Sequence, residues 1–112
     1  MEISVEHTDG GVVILAVSGE IGWNASPELH KALIPLFAEN PVAIVLDLSG
    51  VSFMDSSGVA TLIEGLQYSL RSEIPFRLSG MTTPIIHVLK LANLEDLFEI
   101  FDTREAALKD LT

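Results

Sequence analysis

The sequence contains no cysteine, and only six of its 112 residues are lysine or arginine, against 16 aspartates and glutamates. The lack of cysteine excludes disulfide bonds, thiol catalysis and thiolate metal sites, and it fits a reducing compartment. The net charge of −10 argues against unaided binding to DNA or RNA, because clustered basic side chains hold phosphate backbones. An acidic surface does favour a basic partner through electrostatic steering, although it also serves solubility alone.

Long apolar runs are absent as well. No stretch approaches the roughly 20 residues that a membrane-spanning helix needs. Residues 1–6 lack the basic start and the apolar run of a signal peptide. We therefore expect a cytoplasmic protein with no direct membrane insertion.

The sequence motifs of common enzymes are also missing. There is no glycine-rich phosphate loop and no dinucleotide-binding turn, and Ser56 and Ser57 do not fit the Gly-x-Ser-x-Gly pattern of α/β hydrolases. The three histidines, His7, His30 and His87, form no His-x-x-x-His pair. We predict neither an enzyme nor a cofactor or metal site.

Apolar strands and amphipathic helices alternate along the chain. Residues 3–5 and 12–17 predict a hairpin around a Thr-Asp-Gly-Gly turn. Ser26 is predicted to cap a first helix that has a proline in its first turn and stops at Asn40. Residues 42–48 are almost entirely apolar, which predicts a strand buried on both faces of a sheet.

A short turn is then predicted to lead into a second helix, whose apolar face includes Leu62, Leu66 and Leu70. Further patterns predict, in order, a strand at 75–79, a helix at 84–92, a strand at 98–101 and a helix at 104–111. The order β-β-α-β-α-β-α-β-α predicts a single α/β domain over residues 1–112. We expect about five strands in a mostly parallel or mixed sheet and about four helices.

The start of the second helix, Asp55-Ser56-Ser57-Gly58, holds more hydroxyl groups than a helix cap requires. The first turn of a helix leaves N–H groups unpaired, so these side chains can act as caps. A phosphate on a serine there would meet the same N–H groups and the positive end of the helix dipole. From the residues alone, Ser56 is either part of a cap or a site of modification.

Trp23, the lone tryptophan, follows Gly22 in a loop next to Asn24. It is either part of the core or an exposed anchor for a partner. We favour the core unless this loop lies beside Ser56.

Residues 44–62, with the run Val51-Ser52-Phe53-Met54-Asp55-Ser56-Ser57-Gly58, resemble the signature of STAS domains of bacterial anti-sigma factor antagonists. Gly19-Glu20-Ile21 resembles the family's turn before the first helix, and residues 89–100 resemble its third helix and last strand. The resemblance thus covers almost the whole chain. It departs from the family at Gly22, where an aspartate is expected, and at Ala60, where glycine is frequent.

The resemblance implies a regulatory protein without chemistry of its own. Members of this family bind, when unmodified, an anti-sigma factor that is an ATP-dependent serine kinase, and so release a sigma factor. The kinase phosphorylates the first serine after the aspartate, here Ser56, and a PP2C-type phosphatase reverses the modification. The residues predicted to contact the partner surround that serine: Trp23, Asn24, Asp55, Ser57, Gly58 and Val59.

Two alternatives remain. The same resemblance fits a STAS subunit that regulates a membrane transporter, such as a lipid-transport ABC complex, without being phosphorylated. A serine hydrolase is the third possibility, but the sequence shows no base to activate the serine.

Overall fold

The computed structural model describes residues 1–111, which form a five-stranded sheet with helices on both faces. The strands are β1 (Glu2–His7), β2 (Val12–Ile21), β3 (Ala43–Met54), β4 (Phe76–Ser79) and β5 (Glu99–Phe101). The helices are α1 (Ser26–Leu33), α2 (Ser56–Ser72), α3 (Thr83–Leu91) and α4 (Arg104–Leu108), with 3₁₀ segments at Ile34–Glu39 and Glu95–Leu97.

The strands lie in the sheet in the order in which they occur in the chain. β1 pairs with β2 antiparallel, and β2 to β5 are parallel. The predicted hairpin and mixed α/β sheet are therefore confirmed. The carboxyl ends of β2 and β3 meet at one edge of the sheet, and the loop after β2 and the start of α2 lie there.

The main core lies between the sheet and α1, α2 and α3, while α4 covers part of the opposite face over a smaller core. Three successive connections that all pass over one face agree with the uniform handedness of parallel crossovers. Residues 43–48 are buried throughout, as predicted for a strand covered on both faces. Ile44, Leu46 and Leu48 belong to the main core, and Ala43 and Val45 to the smaller one.

The prediction of a short turn between residue 48 and Asp55 is wrong, because β3 continues to Met54. Strand β2 continues with it to Ile21, four residues beyond the predicted end. Irregular pairing between Ala16 and Ser18 and again after Gly19 keeps the two strands together. The longer pair brings the end of β2 next to the start of α2.

The start and the end of the first helix also differ from the prediction. Ala25, not Ser26, occupies the cap position, and Ser26 is buried as the first residue of α1. The N–H groups of Ala25 and Ser26 both donate to Gly22 O, so this turn draws the serine into the helix. α1 ends at Leu33 and continues as a 3₁₀ segment, because Pro35 has no N–H with which to continue α-helical bonding.

The buried face of α2 is formed largely by small residues, and the prediction that Leu70 packs in the core is wrong. Leu70 is 71% exposed, whereas Gly65 and Ser69 are buried. A Cβ atom on Gly65 would lie 3.0 Å from the Phe76 ring, so glycine permits this close approach.

The last helix ends at Leu108, three residues before its predicted end. Within residues 1–111, no helix combines the length and apolarity needed to cross a bilayer.

Candidate functional site

The loop after β2 and the start of α2 are held side by side. Ile21 and Met54, the last residues of β2 and β3, are register partners. The N–H of Asp55 donates to Ile21 O at 3.2 Å, which continues the pairing by one residue beyond β3. The loop at 22–25 and the junction at 55–58, which carry the predicted partner contacts, therefore lie next to each other.

Asp55 caps α2 and ties it to this loop. One carboxylate oxygen, Oδ1, accepts hydrogen bonds from Ser57 N at 2.9 Å, Gly58 N at 3.4 Å and the Ser57 hydroxyl at 2.5 Å. The other, Oδ2, accepts from Trp23 N at 3.0 Å. The hydrogen bond from the Ser57 hydroxyl, supported by these N–H groups, outweighs desolvation and holds the pKa of Asp55 below its ordinary value. Asp55 is therefore a carboxylate at neutral pH.

The two serines of the junction differ in their surroundings. Ser57 is half-buried, and its hydroxyl donates to Asp55. Ser56 is exposed, and its hydroxyl makes no hydrogen bond to another group in residues 1–111. Ser56 is thus the hydroxyl that an enzyme can reach without breaking the cap.

The expectation that a phosphate would meet the first N–H groups of α2 needs correction. Asp55 already accepts hydrogen bonds from the N–H groups of Ser57 and Gly58. A phosphate on Ser56 would have to displace that carboxylate or remain in solvent beside it. Repulsion between the two anions favours solvent.

Gly58 and Val59, two of the predicted partner contacts, are buried. A Cβ atom on Gly58 would lie 2.6 Å from Met54 Cγ and 3.0 Å from Ile21 Cγ2, so the glycine lets α2 start directly against the ends of β2 and β3. Val59 is 7% exposed and belongs to the main core. Both residues position the site and offer a partner little surface.

Trp23 is 78% exposed, which is the alternative that the sequence left open if its loop lay beside Ser56. Its backbone is bound to Asp55, and its side chain lies at a groove that we call the Trp23 groove, bordered by Glu20, Trp23, Asn24, Phe53 and Asp55. Asn24, which was also predicted to contact a partner, is exposed there. The condition set by the sequence, that the loop lies beside the serine junction, is met.

Phe53 and Glu20 belong to this surface, although neither was predicted as a partner contact. They are register partners on β3 and β2, and Phe53 is 48% exposed. The neighbours Val51 and Met54 are both buried. The exposed pair at 52–53 between them breaks the two-residue alternation of a strand, and this irregularity comes from the uneven pairing of β2 and β3.

Gly22 is next to the junction. A Cβ atom there would lie 3.4 Å from Asn24 Oδ1 and 3.5 Å from Asp55 Oδ2. An aspartate at this position, which the resemblance led us to expect, would begin beside both oxygens and would add a negative charge next to Asp55.

The histidines lie elsewhere. His30 is paired with Glu64 and His7 with Glu39, while His87 is exposed on α3. None of them lines the Trp23 groove. In the part of the chain that the structure describes, no three or more histidine, aspartate or glutamate side chains are grouped to hold a metal ion.

Comparison with known families agrees with the strand, loop and helix described above. A family model of the STAS domain matches residues 2–107. The chain belongs to the STAS domain family. A curated relative of this STAS domain, the anti-sigma-F factor antagonist RsfB of Mycobacterium tuberculosis, is 34% identical over 101 residues, which cover 88% of this chain and 80% of RsfB. Antagonists of this kind are regulatory binding proteins and not enzymes.

Solved structures share the fold of this STAS domain. An anti-sigma factor antagonist from Mycobacterium paratuberculosis superposes with a TM-score of 0.85 at 28% identity and covers 98% of this chain and 92% of its own. The Bacillus protein SpoIIAA, solved in a phosphorylated form, has a TM-score of 0.77 at 18% identity, with coverage of 99% and 100%. At that identity SpoIIAA supports the fold alone.

Proposed function

We propose that this STAS domain is an anti-sigma factor antagonist whose binding to an anti-sigma factor is switched off by phosphorylation of Ser56. The observation that carries the proposal is the position of Ser56, whose exposed hydroxyl lies next to the Asp55 cap that also holds the exposed Trp23 loop. The names of the mycobacterial relatives support the antagonist role. The proposal treats residues 1–112 as one domain acting in the cytoplasm.

The proposed partner is an anti-sigma factor that is also an ATP-dependent serine kinase, and a PP2C-type phosphatase restores the binding form. Such partners supply the ATP and the metal, so the STAS domain itself supplies a substrate hydroxyl and a surface. Trp23, Asn24 and Ser56 form the exposed part of that surface, and Asp55 and Ser57 lie behind it. Gly58 and Val59 contribute by holding α2 in place.

Phosphorylation would act locally. It adds about −1.5 to −2 charges and three strong hydrogen-bond acceptors. Asp55 occupies the nearby N–H groups, so the phosphate would stay hydrated on the surface. A partner packed on the unmodified serine would then have to strip water from a dianion, which costs several kcal/mol and lowers affinity by orders of magnitude.

The proposal is tested by incubating the protein with its kinase and ATP and measuring the mass of the product. The kinase is first recovered by affinity capture from a lysate of the source organism. We expect one added phosphate on the parent protein and on Ser57→Ala, and none on Ser56→Ala. A phosphate that persists on Ser56→Ala would contradict the assignment.

The same capture separates this proposal from the transporter alternative. Recovery of a small ATP-binding kinase supports the antagonist. Recovery of an ABC ATPase or permease, with no phosphate on Ser56, would instead favour a transporter subunit.

A further inference from the structure

Two aromatic side chains at the Trp23 groove are exposed to solvent, so they contribute little buried area to the stability of the fold. Trp23 is 78% exposed and Phe53 is 48% exposed, and both border the same groove. An exposed aromatic side chain placed beside a second one is typical of a binding surface, because each offers a large area at a low cost in conformational entropy.

The groove is also negatively charged. Glu20 is the register partner of Phe53, and Asp55 lies at the base of the Trp23 loop. Met1, next to Gly19, also lines the groove and brings one α-amino group against the two carboxylates, which leaves a net negative charge. Among residues 1–111, no lysine, arginine or histidine side chain lines the groove. Carboxylates beside exposed aromatic faces disfavour phosphate and carboxylate ligands and favour a cation.

The two oxygens of Asp55 separate this groove from the N–H groups at the start of α2. Oδ1 is occupied by Ser57 and Gly58, whereas Oδ2 faces the Trp23 loop and accepts one hydrogen bond there. A carboxylate oxygen can accept a second bond. Asp55 can therefore bind a donor in the groove while it continues to cap α2.

Gly22 leaves room for such a donor. A side chain here would begin 3.4 to 3.5 Å from Asn24 Oδ1 and Asp55 Oδ2, so the glycine opens the space in front of both oxygens. The planar guanidinium group of arginine suits this arrangement, because it stacks on aromatic rings and donates several hydrogen bonds in one plane.

We infer that the Trp23 groove binds an arginine side chain of the protein partner, stacked on Trp23 and Phe53 and paired with Glu20 and Asp55. The inference rests on the proposed function for the class of the partner. It adds the chemistry that this groove recognises, and it assigns Phe53 and Glu20 a role in recognition.

The first test uses an acetylated and amidated Ala-Arg-Ala tripeptide as the probe. Trp23 is the single tryptophan of the chain and reports on the groove by its fluorescence. We expect a saturable change in fluorescence together with shifts of the Glu20 and Phe53 amide signals in nitrogen-15 NMR spectra. The matching citrulline tripeptide, which has a similar shape without the charge, should bind about fivefold more weakly or worse.

Two pairs of variants separate the groove from general attraction to an acidic protein. Glu20→Gln and Asp96→Asn each remove one exposed negative charge, but Asp96 does not border the groove. Trp23→Ala and Leu91→Ala each remove an exposed apolar side chain, and Leu91 likewise does not border it. In the NMR titration, the groove variant of each pair should weaken binding about fivefold, and its control should leave binding unchanged.

The inference fails if the arginine tripeptide gives no saturable response at millimolar concentration, if citrulline binds equally well, or if Asp96→Asn weakens binding as much as Glu20→Gln. These titrations need no kinase. A failure here therefore leaves the phosphorylation experiment unaffected, and a failure of phosphorylation leaves the chemistry of the groove intact.

Discussion

At the scale of single residues, the Asp55 carboxylate accepts hydrogen bonds from several groups of the site. Its carboxylate satisfies the first N–H groups of α2, holds the Ser57 hydroxyl and fixes the Trp23 loop. These contacts leave Ser56 as the accessible serine and aim Trp23 outwards. One side chain thus sets both the stability of the helix start and the shape of the proposed interface.

We predict that Asp55→Ala lowers the free energy of unfolding at neutral pH, and that the loss shrinks in acid. The pKa of Asp55 is lowered on folding, so its stabilisation is fully present above its ordinary value near 3.8 and disappears as the pH falls through the lower folded value. Denaturant unfolding followed by circular dichroism at several pH values measures this. Asp96→Ala, at an exposed site, serves as the control. A loss that stays constant from neutral to acid pH would contradict the role of the ionised carboxylate.

At the scale of elements, the short helix α4 depends on contacts with the sheet. Arg104, at its start, donates a hydrogen bond from Nε to Asp47 Oδ2 at 3.0 Å, and its Nη2 forms an ion pair with the same oxygen at 2.8 Å. Arg77 on β4 donates to the backbone oxygens of Ala107 and Lys109 at its other end. A helix of five residues is not stable alone, so these two arginines and the small core beneath it hold α4 on the sheet.

We predict that Arg104→Gln lowers the free energy of unfolding by about 1–3 kcal/mol. The loss is smaller than the roughly 3–5 kcal/mol of a fully buried pair because the Arg104 side chain is 33% exposed. Burial raises the pKa of Asp47, but hydrogen bonds from Ser49 and Arg104 outweigh it and leave the pKa lowered. The effect should therefore be present at neutral pH and decline as acid protonates Asp47.

Equilibrium unfolding in denaturant measures the change caused by Arg104→Gln. Lys109→Gln removes the same charge from an exposed side chain and should be nearly neutral. If the two variants lose equal stability, the ion pair to Asp47 does not hold α4.

At the scale of the whole molecule, the proposed site is built on long paired strands. β2 and β3 run side by side to Ile21 and Met54, and the main core lies under them. The loop and the helix start that carry Trp23 and Ser56 are thus supported by rigid elements. Phosphorylation of Ser56, at the surface of these strands, is therefore expected to change the fold little.

We predict that phosphorylation of Ser56 leaves amide hydrogen exchange in β2, β3 and α3 unchanged. Differences should be confined to the loop after β2 and the first turn of α2, because the phosphate meets solvent there and not the core. Exchange of the phosphorylated and unmodified proteins, measured by mass spectrometry, decides this. Ser56→Ala treated with the same kinase and ATP controls for the treatment. Widespread loss of protection would indicate refolding in place of a locally blocked interface.

The starts of the two helices illustrate how far local rules extend. Ser26 was predicted as a cap, and Asp55 is one of the side chains that the same rule allows at the start of α2. Asp55 is a cap, but Ser26 lies inside α1 because a turn closed on Gly22 O starts the helix one residue earlier. The rule describes which side chains can cap, whereas neighbouring backbone contacts decide where the helix begins.

The two exposed apolar residues, Trp23 and Leu70, have a similar explanation. Hydrophobicity alone favours burial of both, yet both are largely exposed. Gly65 brings α2 so close to Phe76 and Leu33 that the buried face follows small residues, and Leu70 lies outside it. Trp23 is turned outwards by the hydrogen bond between its own N–H and Asp55, 32 positions away.

The sequence by itself determined the succession of strands and helices, the buried part of β3 up to residue 48, a helix cap within residues 55–57 and the family motif. Each of these is encoded by neighbouring residues, through periodicity or spacing. Tertiary structure alone decided that Trp23 is tied to Asp55, that Gly58 and Val59 are covered, and that Glu20, Trp23 and Phe53 share one groove. The physical reason is that these outcomes depend on the register of β2 against β3 and on contacts between residues distant in the chain.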